Sequence, residues 1–295
     1  MSFKKILLPL YGSELAERAL IPALALAEAM SAELVLLRVA IPLPLNLDPS
    51  LYARVVRVRR NEVKEYLRAI RFRFSFANIN IETKVVVGQA ARAITKFAND
   101  TEIDLIVMSS LGHSGIKRWI YGSVANEVLN TANCAKAIIH PHVEIDSFAL
   151  KRVLVPLDGS QMAEQAVKLA RALAEAAQAD LYLLNVVSGT QILEQPVPDL
   201  PGNDGVSDTE EAEATAYLLR VKADMATCPI NVLTQVTTGP TVENIIDFAD
   251  DQKIDLIIMG SHGKSGFQKL VFGSVATKVL QSANCVTLVI PGQRD

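Results

Sequence analysis

Apolar and polar positions along this chain follow two interleaved rhythms. Short runs rich in apolar residues occur at 5–10, 33–40, 79–87, 103–109 and 135–140, and again at 152–157, 180–187, 230–238, 254–260 and 286–290. Aliphatic runs of that length predict strands buried on both faces. Between them, apolar residues recur at three- and four-residue steps near 13–30, 53–75, 89–100 and 122–131, then near 160–178, 209–226, 241–251 and 274–282. That spacing is helical. In the 160–178 segment Ala163, Ala166, Val167, Ala170, Leu173 and Ala174 form one apolar stripe, which is expected to lie against a sheet. Ser13 and Ser160 are placed as N-caps. Pro22 falls inside the first helical pattern, where a kink or break is expected. Strand–helix alternation with short connections calls for right-handed crossovers and parallel sheets covered on both faces. The fold class is α/β.

The pattern is written twice. Lys4-Lys5-Ile6-Leu7-Leu8-Pro9-Leu10-Tyr11-Gly12-Ser13 returns as Lys151-Arg152-Val153-Leu154-Val155-Pro156-Leu157-Asp158-Gly159-Ser160. Ile103-Asp104-Leu105-Ile106-Val107-Met108 returns as Ile254-Asp255-Leu256-Ile257-Ile258-Met259. A fixed offset over this length marks an internal duplication. Two domains follow, 1–143 and 150–295, each of ordinary domain size and each with five strands. The connector is short, around 141–149. The one long irregular stretch, 188–208, holds Pro196, Pro198, Pro201, Gly202 and Gly205. It leaves the C-terminal end of a strand, where open α/β sheets bind ligands, and is read either as a surface loop over a site or as disorder.

Composition narrows the class. Half of the residues are hydrophobic and only 5% aromatic, so the cores are aliphatic. No apolar run reaches the roughly 18 residues of a membrane span, and the N-terminus lacks a signal-peptide pattern. Three cysteines cannot all pair internally; they are expected as core thiols in a reducing compartment, which makes the chain cytoplasmic. Charge is uneven. Residues 1–147 carry 18 Lys/Arg against 14 Asp/Glu, and residues 148–295 carry 11 against 18. Much of the contrast lies between the basic segment Arg54–Arg73 and the acidic segment Asp199–Asp224. These read as solvated helix faces or as docking faces, for an anionic partner or for another copy. Arg71-Phe72-Arg73-Phe74-Ser75-Phe76 alternates charge and aromatic, but its phenylalanines are expected in the core at a helix end. With an acidic chain overall, nucleic acid is not the expected partner.

Chemistry concentrates after the fourth strand of the second copy. Gly260-Ser261-His262-Gly263 is followed by nine residues and then Gly273-Ser274, which opens a helix. Glycines let backbone amides approach phosphate oxygens, and a helix N-terminus offers unpaired N–H groups and a favourable dipole. Asp158 ends the neighbouring first strand, placed to accept from a sugar hydroxyl. Other motifs fail. Gly263-Lys264-Ser265 resembles the end of a P-loop, but the glycine required five positions earlier is Ile258. No Gly-x-Gly-x-x-Gly follows either first strand. His113, His140, His142 and His262 lack the clustered spacing of a metal site. Ser160 lacks a nucleophile elbow.

The strand ending Val155-Pro156-Leu157-Asp158-Gly159-Ser160 and the motif Gly260-x-x-Gly263-(nine residues)-Gly273-Ser274 together resemble the universal stress protein family, over essentially all of both copies. The second motif is similar to that of the family's ATP-binding branch at every required position. The resemblance implies Rossmann-like sheets of strand order 3-2-1-4-5, joined through their fifth strands as an internal pseudo-dimer. It implies ATP as ligand, with Mg2+ if the phosphates carry it. Asp158 would face the ribose or adenine, the Val186 backbone the adenine, and Gly260, Gly263, Gly273 and Ser274 the phosphates. The first copy departs from it: Tyr11 replaces the aspartate and Ser109 the first glycine, while Gly112, Gly122 and Ser123 remain. Nucleotide binding is therefore expected in the second copy and weakened or lost in the first. Three functions follow: an ATP-binding regulatory or stress-survival factor, a slow ATP-using enzyme, or a nucleotide-independent interaction module. No general base or carboxylate cluster stands near the motif, so turnover is expected to be slow or absent. The protein partner stays open, as does a homodimer.

Overall fold

The computed structural model describes residues 2–40, 48–110, 122–145, 148–188, 208–262 and 272–292. By compactness the chain divides into Met1–Ala149 with Leu288–Pro291, and Leu150–Thr287 with Gly292–Asp295. The two copies of the element sequence change over between Ala149 and Leu150 and are described in that order. In the first, β1 (Lys5–Pro9), α1 (Glu14–Glu17), α2 (Leu20–Met30), β2 (Glu33–Ala40), α3 (Pro49–Arg73), β3 (Ile81–Val87), α4 (Ala90–Asp100), β4 (Leu105–Ser109), α5 (Ser123–Thr131) and β5 (Ala135–Ile139) follow in turn. The second holds β6 (Arg152–Pro156), α6 (Gln161–Ala177), β7 (Asp180–Val187), α7 (Asp208–Ala223), β8 (Val232–Thr238), α8 (Thr241–Asp251), β9 (Leu256–Gly260), α9 (Ser274–Ser282) and β10 (Val286–Ile290).

Each unit orders its strands as expected. The first runs β3-β2-β1-β4-β5, with parallel pairing throughout. The second runs β8-β7-β6-β9-β10, with β6 parallel to β7 and β9, and β7 parallel to β8. The inner strands β4 and β9 are buried, as two covered faces require, while the edge strands β3 and β8 are half-buried or exposed over most of their length. All six apolar-stripe residues of α6 are buried, and Leu169 joins them. A fully buried leucine such as Leu173 is worth roughly 1.5–3 kcal/mol over an exposed one.

Local signals explain the element ends. The hydroxyls of Ser13 and Ser160 accept from the backbone N–H of Ala16 and Ala163, both at 3.2 Å. Pro22 sits in the first turn of α2, and the break falls just before it at Arg18 and Ala19. A proline ring collides with the carbonyl four residues back, here that of Arg18. Leu169 takes the corresponding place in α6, which runs unbroken.

Two expectations need correction. Of the three phenylalanines near the end of α3, only Phe74 is in the core, 7% exposed; Phe72 and Phe76 are 81% and 80% exposed. Phe74 continues the buried face of Leu67 and Ile70 at helical spacing, and Phe72 lies off that face. Of the cysteines, Cys285 is buried and Cys134 and Cys228 only half-buried. Burial nonetheless pushes the thiols of Cys134 and Cys285 up to about 11 and about 12.

The aspartates repeated in both copies serve the sheets' N-terminal ends. Asp104 accepts from the backbone N–H groups of Lys4 and Lys5 at 2.7 and 2.9 Å. Asp255 does the same for Lys151 and Arg152 at 2.9 and 2.8 Å. Each ties the start of a first strand to the segment leading into the fourth.

Candidate functional site

In the second unit β6 lies between β7 and β9, whose connections leave in opposite directions along the sheet, so the strand order switches beside β6. Pairing of β6 with β9 stops at Leu154↔Ile257. Beyond it the two C-terminal ends separate, and a crevice opens, as the rule for open α/β sheets requires. On the other side, β7 pairs with β6 only as far as Pro156↔Leu184 and runs on through Asn185, Val186 and Val187. The backbone of Val186 therefore has no β6 neighbour on its crevice edge.

A cleft of about 220 Å³ occupies this place, lined by Asp158, Val186, Gly260, Gly273 and Ser274, with Leu157 and Ile245 among its apolar walls. Five of the six residues singled out in the sequence thus meet at one cleft. Gly263 lies outside the described residues, as do most of the nine-residue loop, Gly112 and 189–207. The volume is below the roughly 300–1,000 Å³ of pockets that enclose a drug-sized ligand.

The turn after β6 is held locally. Asp158 Oδ1 accepts from the Ser160 N–H at 3.0 Å, and Gly159 takes φ +78, a conformation glycine adopts without strain. Asp158 remains exposed. Opposite it, the Gly273 N–H donates to the Ser261 carbonyl at 2.7 Å, which fixes the entry to α9. Gly273 supplies no side-chain cap. The N–H groups of Ser274, Val275 and Ala276 belong to the first helical turn, which has no carbonyls of its own helix to bond, and all three residues line the cleft. With the positive end of the helix dipole, they form a place suited to an anion.

Several contributors escaped the sequence reading. A side chain at Gly260 would begin 2.2 Å from Met162 Cγ, so the glycine is required by packing within the protein, not only by a ligand's approach. Ser261 Oγ accepts from the Gly292 N–H at 3.1 Å and lies 3.0 Å from His262 Nδ1, to which its hydrogen can be donated. The Tyr217 hydroxyl is buried without a hydrogen-bond partner among the described residues. Burial, then the charges of Glu164 and Asp158, raise its pKa. Only neighbouring elements in space reveal these; no spacing in the chain encodes them.

In the first unit the corresponding place is built differently. Arg38 stands where the second unit has Asn185. Asn185 Nδ2 donates to the Leu157 carbonyl at 2.8 Å, and Arg38 Nη1 donates to the equivalent Leu10 carbonyl at 3.3 Å. The guanidinium comes within 3.2 Å of where a Gly12 side chain would start and lies 5.9 Å from the centre of the Tyr66 ring. Tyr66 donates to Glu17 at 3.1 Å, and Arg73 donates to the same carboxylate at 2.9 Å. Burial lowers the Arg38 pKa. Ser110, equivalent to Ser261, is 2% exposed and its hydroxyl has no partner among the described residues. Pro141, which has no N–H, replaces Gly292 at the matching position.

Comparison with known proteins agrees with this architecture. The model of the universal stress protein family matches residues 2–140 and 149–291. A universal stress protein of Methanocaldococcus jannaschii is 31% identical over 143 residues, which is 48% of this chain and 81% of that protein. One of Mycobacterium bovis is 25% identical over 212 residues, 72% of this chain and 69% of its own. The crystal structure of a universal stress protein from Archaeoglobus fulgidus has a TM-score of 0.73 over 97% of this chain and 98% of that one. At 21% identity that likeness speaks for the fold. Matched across both halves, this chain belongs to the universal stress protein family as a tandem of two such domains.

Proposed function

We propose that the second domain binds an adenine nucleotide, ATP, and that the chain acts as a nucleotide-dependent regulatory or stress-survival factor. One observation carries the reading: the uncapped start of α9 and the Asp158 carboxylate face one apolar-walled cleft. An adenosine needs apolar walls and a hydroxyl acceptor, and phosphates need N–H donors. In this reading the Val186 backbone meets adenine, Asp158 the ribose, and Gly260, Gly263, Gly273 and Ser274 the phosphates. Among the described residues no group of three or more His, Cys, Asp or Glu comes together. A magnesium ion would then arrive on the nucleotide's own phosphates.

The first domain, in the same proposal, binds ATP weakly or not at all. Tyr11 removes the carboxylate, and the Arg38 guanidinium stands over the turn that follows β1. Slow ATP use is the second reading; a direct hydrolysis assay separates it, with little or no turnover expected. No described helix is long and apolar enough to cross a membrane. A reducing, cytoplasmic setting is part of the proposal, supported by cysteines that remain free.

The test is to denature freshly purified protein and quantify the nucleotide released. About one ATP per chain is expected. Two would refute the asymmetry between the domains. None, with none taken up on titration with ATP and magnesium, would replace this reading with that of an interaction module.

A further inference from the structure

Helices α3 and α7 share a register. At an offset of 151, buried Leu67, Ile70 and Phe74 correspond to buried Leu218, Val221 and Met225. In that register Arg57, Arg59 and Arg60 stand where the other domain has Asp208, Glu210 and Glu211. The charge reverses position by position.

Both stretches lack a buried face. Residues 56–62 of α3 and 208–213 of α7 are all exposed, so neither stretch is packed on its own sheet. Such turns draw little stability from packing, the main source of helix stability in proteins. Like charges three apart, as in Arg57 with Arg60 and Asp208 with Glu211, repel along each helix. The acidic run begins its helix, where the dipole favours it. The basic run begins two turns after Pro49 and has no such local cause. It also carries Val56 and Val58, 38% and 48% exposed, which adds apolar area to the basic surface.

We propose that this basic stretch of α3 docks on the acidic start of α7 of a second copy of this chain. Each run repels itself alone, and bringing the two together replaces both repulsions with one complementary contact. A contact between unlike surfaces closes into a dimer or ring, or continues from copy to copy, according to the rotation between partners. The association is independent of nucleotide.

Sedimentation velocity of the full chain over a concentration series, at about 0.05 M and about 0.5 M salt, tests it, because exposed ion pairs are screened across that range. Self-association at low salt, weakened at least about tenfold at high salt, is expected. Arg57→Glu/Arg59→Glu/Arg60→Glu and Asp208→Lys/Glu210→Lys/Glu211→Lys should each lose it alone and associate when mixed. All six changes in one chain should restore self-association. A wild-type monomer at low salt would overturn the proposal. So would association unchanged by either triple reversal, or a mixture that stays monomeric.

Discussion

Met162 lies across the point where a Gly260 side chain would begin, 2.2 Å from its Cγ. A methyl group there forces the methionine aside. Gly260→Ala is expected to destabilise the protein by about 1–3 kcal/mol, the usual cost of overpacking. Met162→Ala should relieve most of that cost in the double variant, measured by chemical denaturation. If the double variant lost as much as the sum of the single changes, the glycine would not be held by this contact. The same residue shows what a motif conceals. A glycine that matches a phosphate-binding pattern has, in this fold, a neighbour that excludes any larger side chain. Met162 is two residues past the Ser160 cap and almost a hundred residues earlier than Gly260 in the chain. Periodicity cannot pair them, because only the folded sheet brings them together.

At the scale of elements, the N-terminal ends of the sheets rest on carboxylates. Both backbone N–H groups of Lys151 and Arg152 donate to one oxygen of Asp255, Oδ2. Asp255→Ala removes that acceptor and should cost about 1–3 kcal/mol. Asp255→Asn keeps a carbonyl oxygen there and should stay within about 1 kcal/mol of wild type. Burial raises the Asp255 pKa, outweighing the hydrogen bonds that lower it. The folded state therefore holds this proton to higher pH than the unfolded one. That contribution is full below the unfolded pKa and lost as pH rises through the folded value. In denaturation curves taken upward from the carboxylate range, wild type should lose stability relative to the Asn variant as pH rises. Elements were the most legible part of this chain: the aliphatic runs marked all ten strands, and Ser160 and Pro22 marked a helix start and a break. The end of α3 was less so. Phe72, Phe74 and Phe76 share one composition and alternate, yet a helix ending at Arg73 turns only Phe74 inward.

For the whole molecule, the duplication made two domains readable, while the strand order within each was legible only through the resemblance to the universal stress protein family. The asymmetry between sites was readable only in part. Tyr11 and Ser109 stood out against the motif; Arg38 did not, since no motif includes its position. Its role came from the Leu10 carbonyl it bonds and the Tyr66 ring beside it. Replacing both Tyr11→Asp and Arg38→Asn gives the first domain the second domain's residues at these places. Under the proposed function, nucleotide released per chain should rise from about one toward two. A wild type that released none, and took up none on titration with ATP and magnesium, would refute nucleotide binding itself. A value still at one in the double variant would instead show that Ser109, or the orphaned Ser110 hydroxyl, keeps the first site closed.

The retained Asp104 and Asp255, against the exchanged Tyr11 and Asp158, carry a practical consequence. The two domains share the same polypeptide, concentration, buffer and temperature in every tube. Each serves as the other's reference sample. In hydrogen exchange, peptides around β1 and β6 can be compared as a ratio within one digest, so errors of timing and back-exchange cancel. Any ligand that changes that ratio has acted on one half of the molecule, whatever its chemistry.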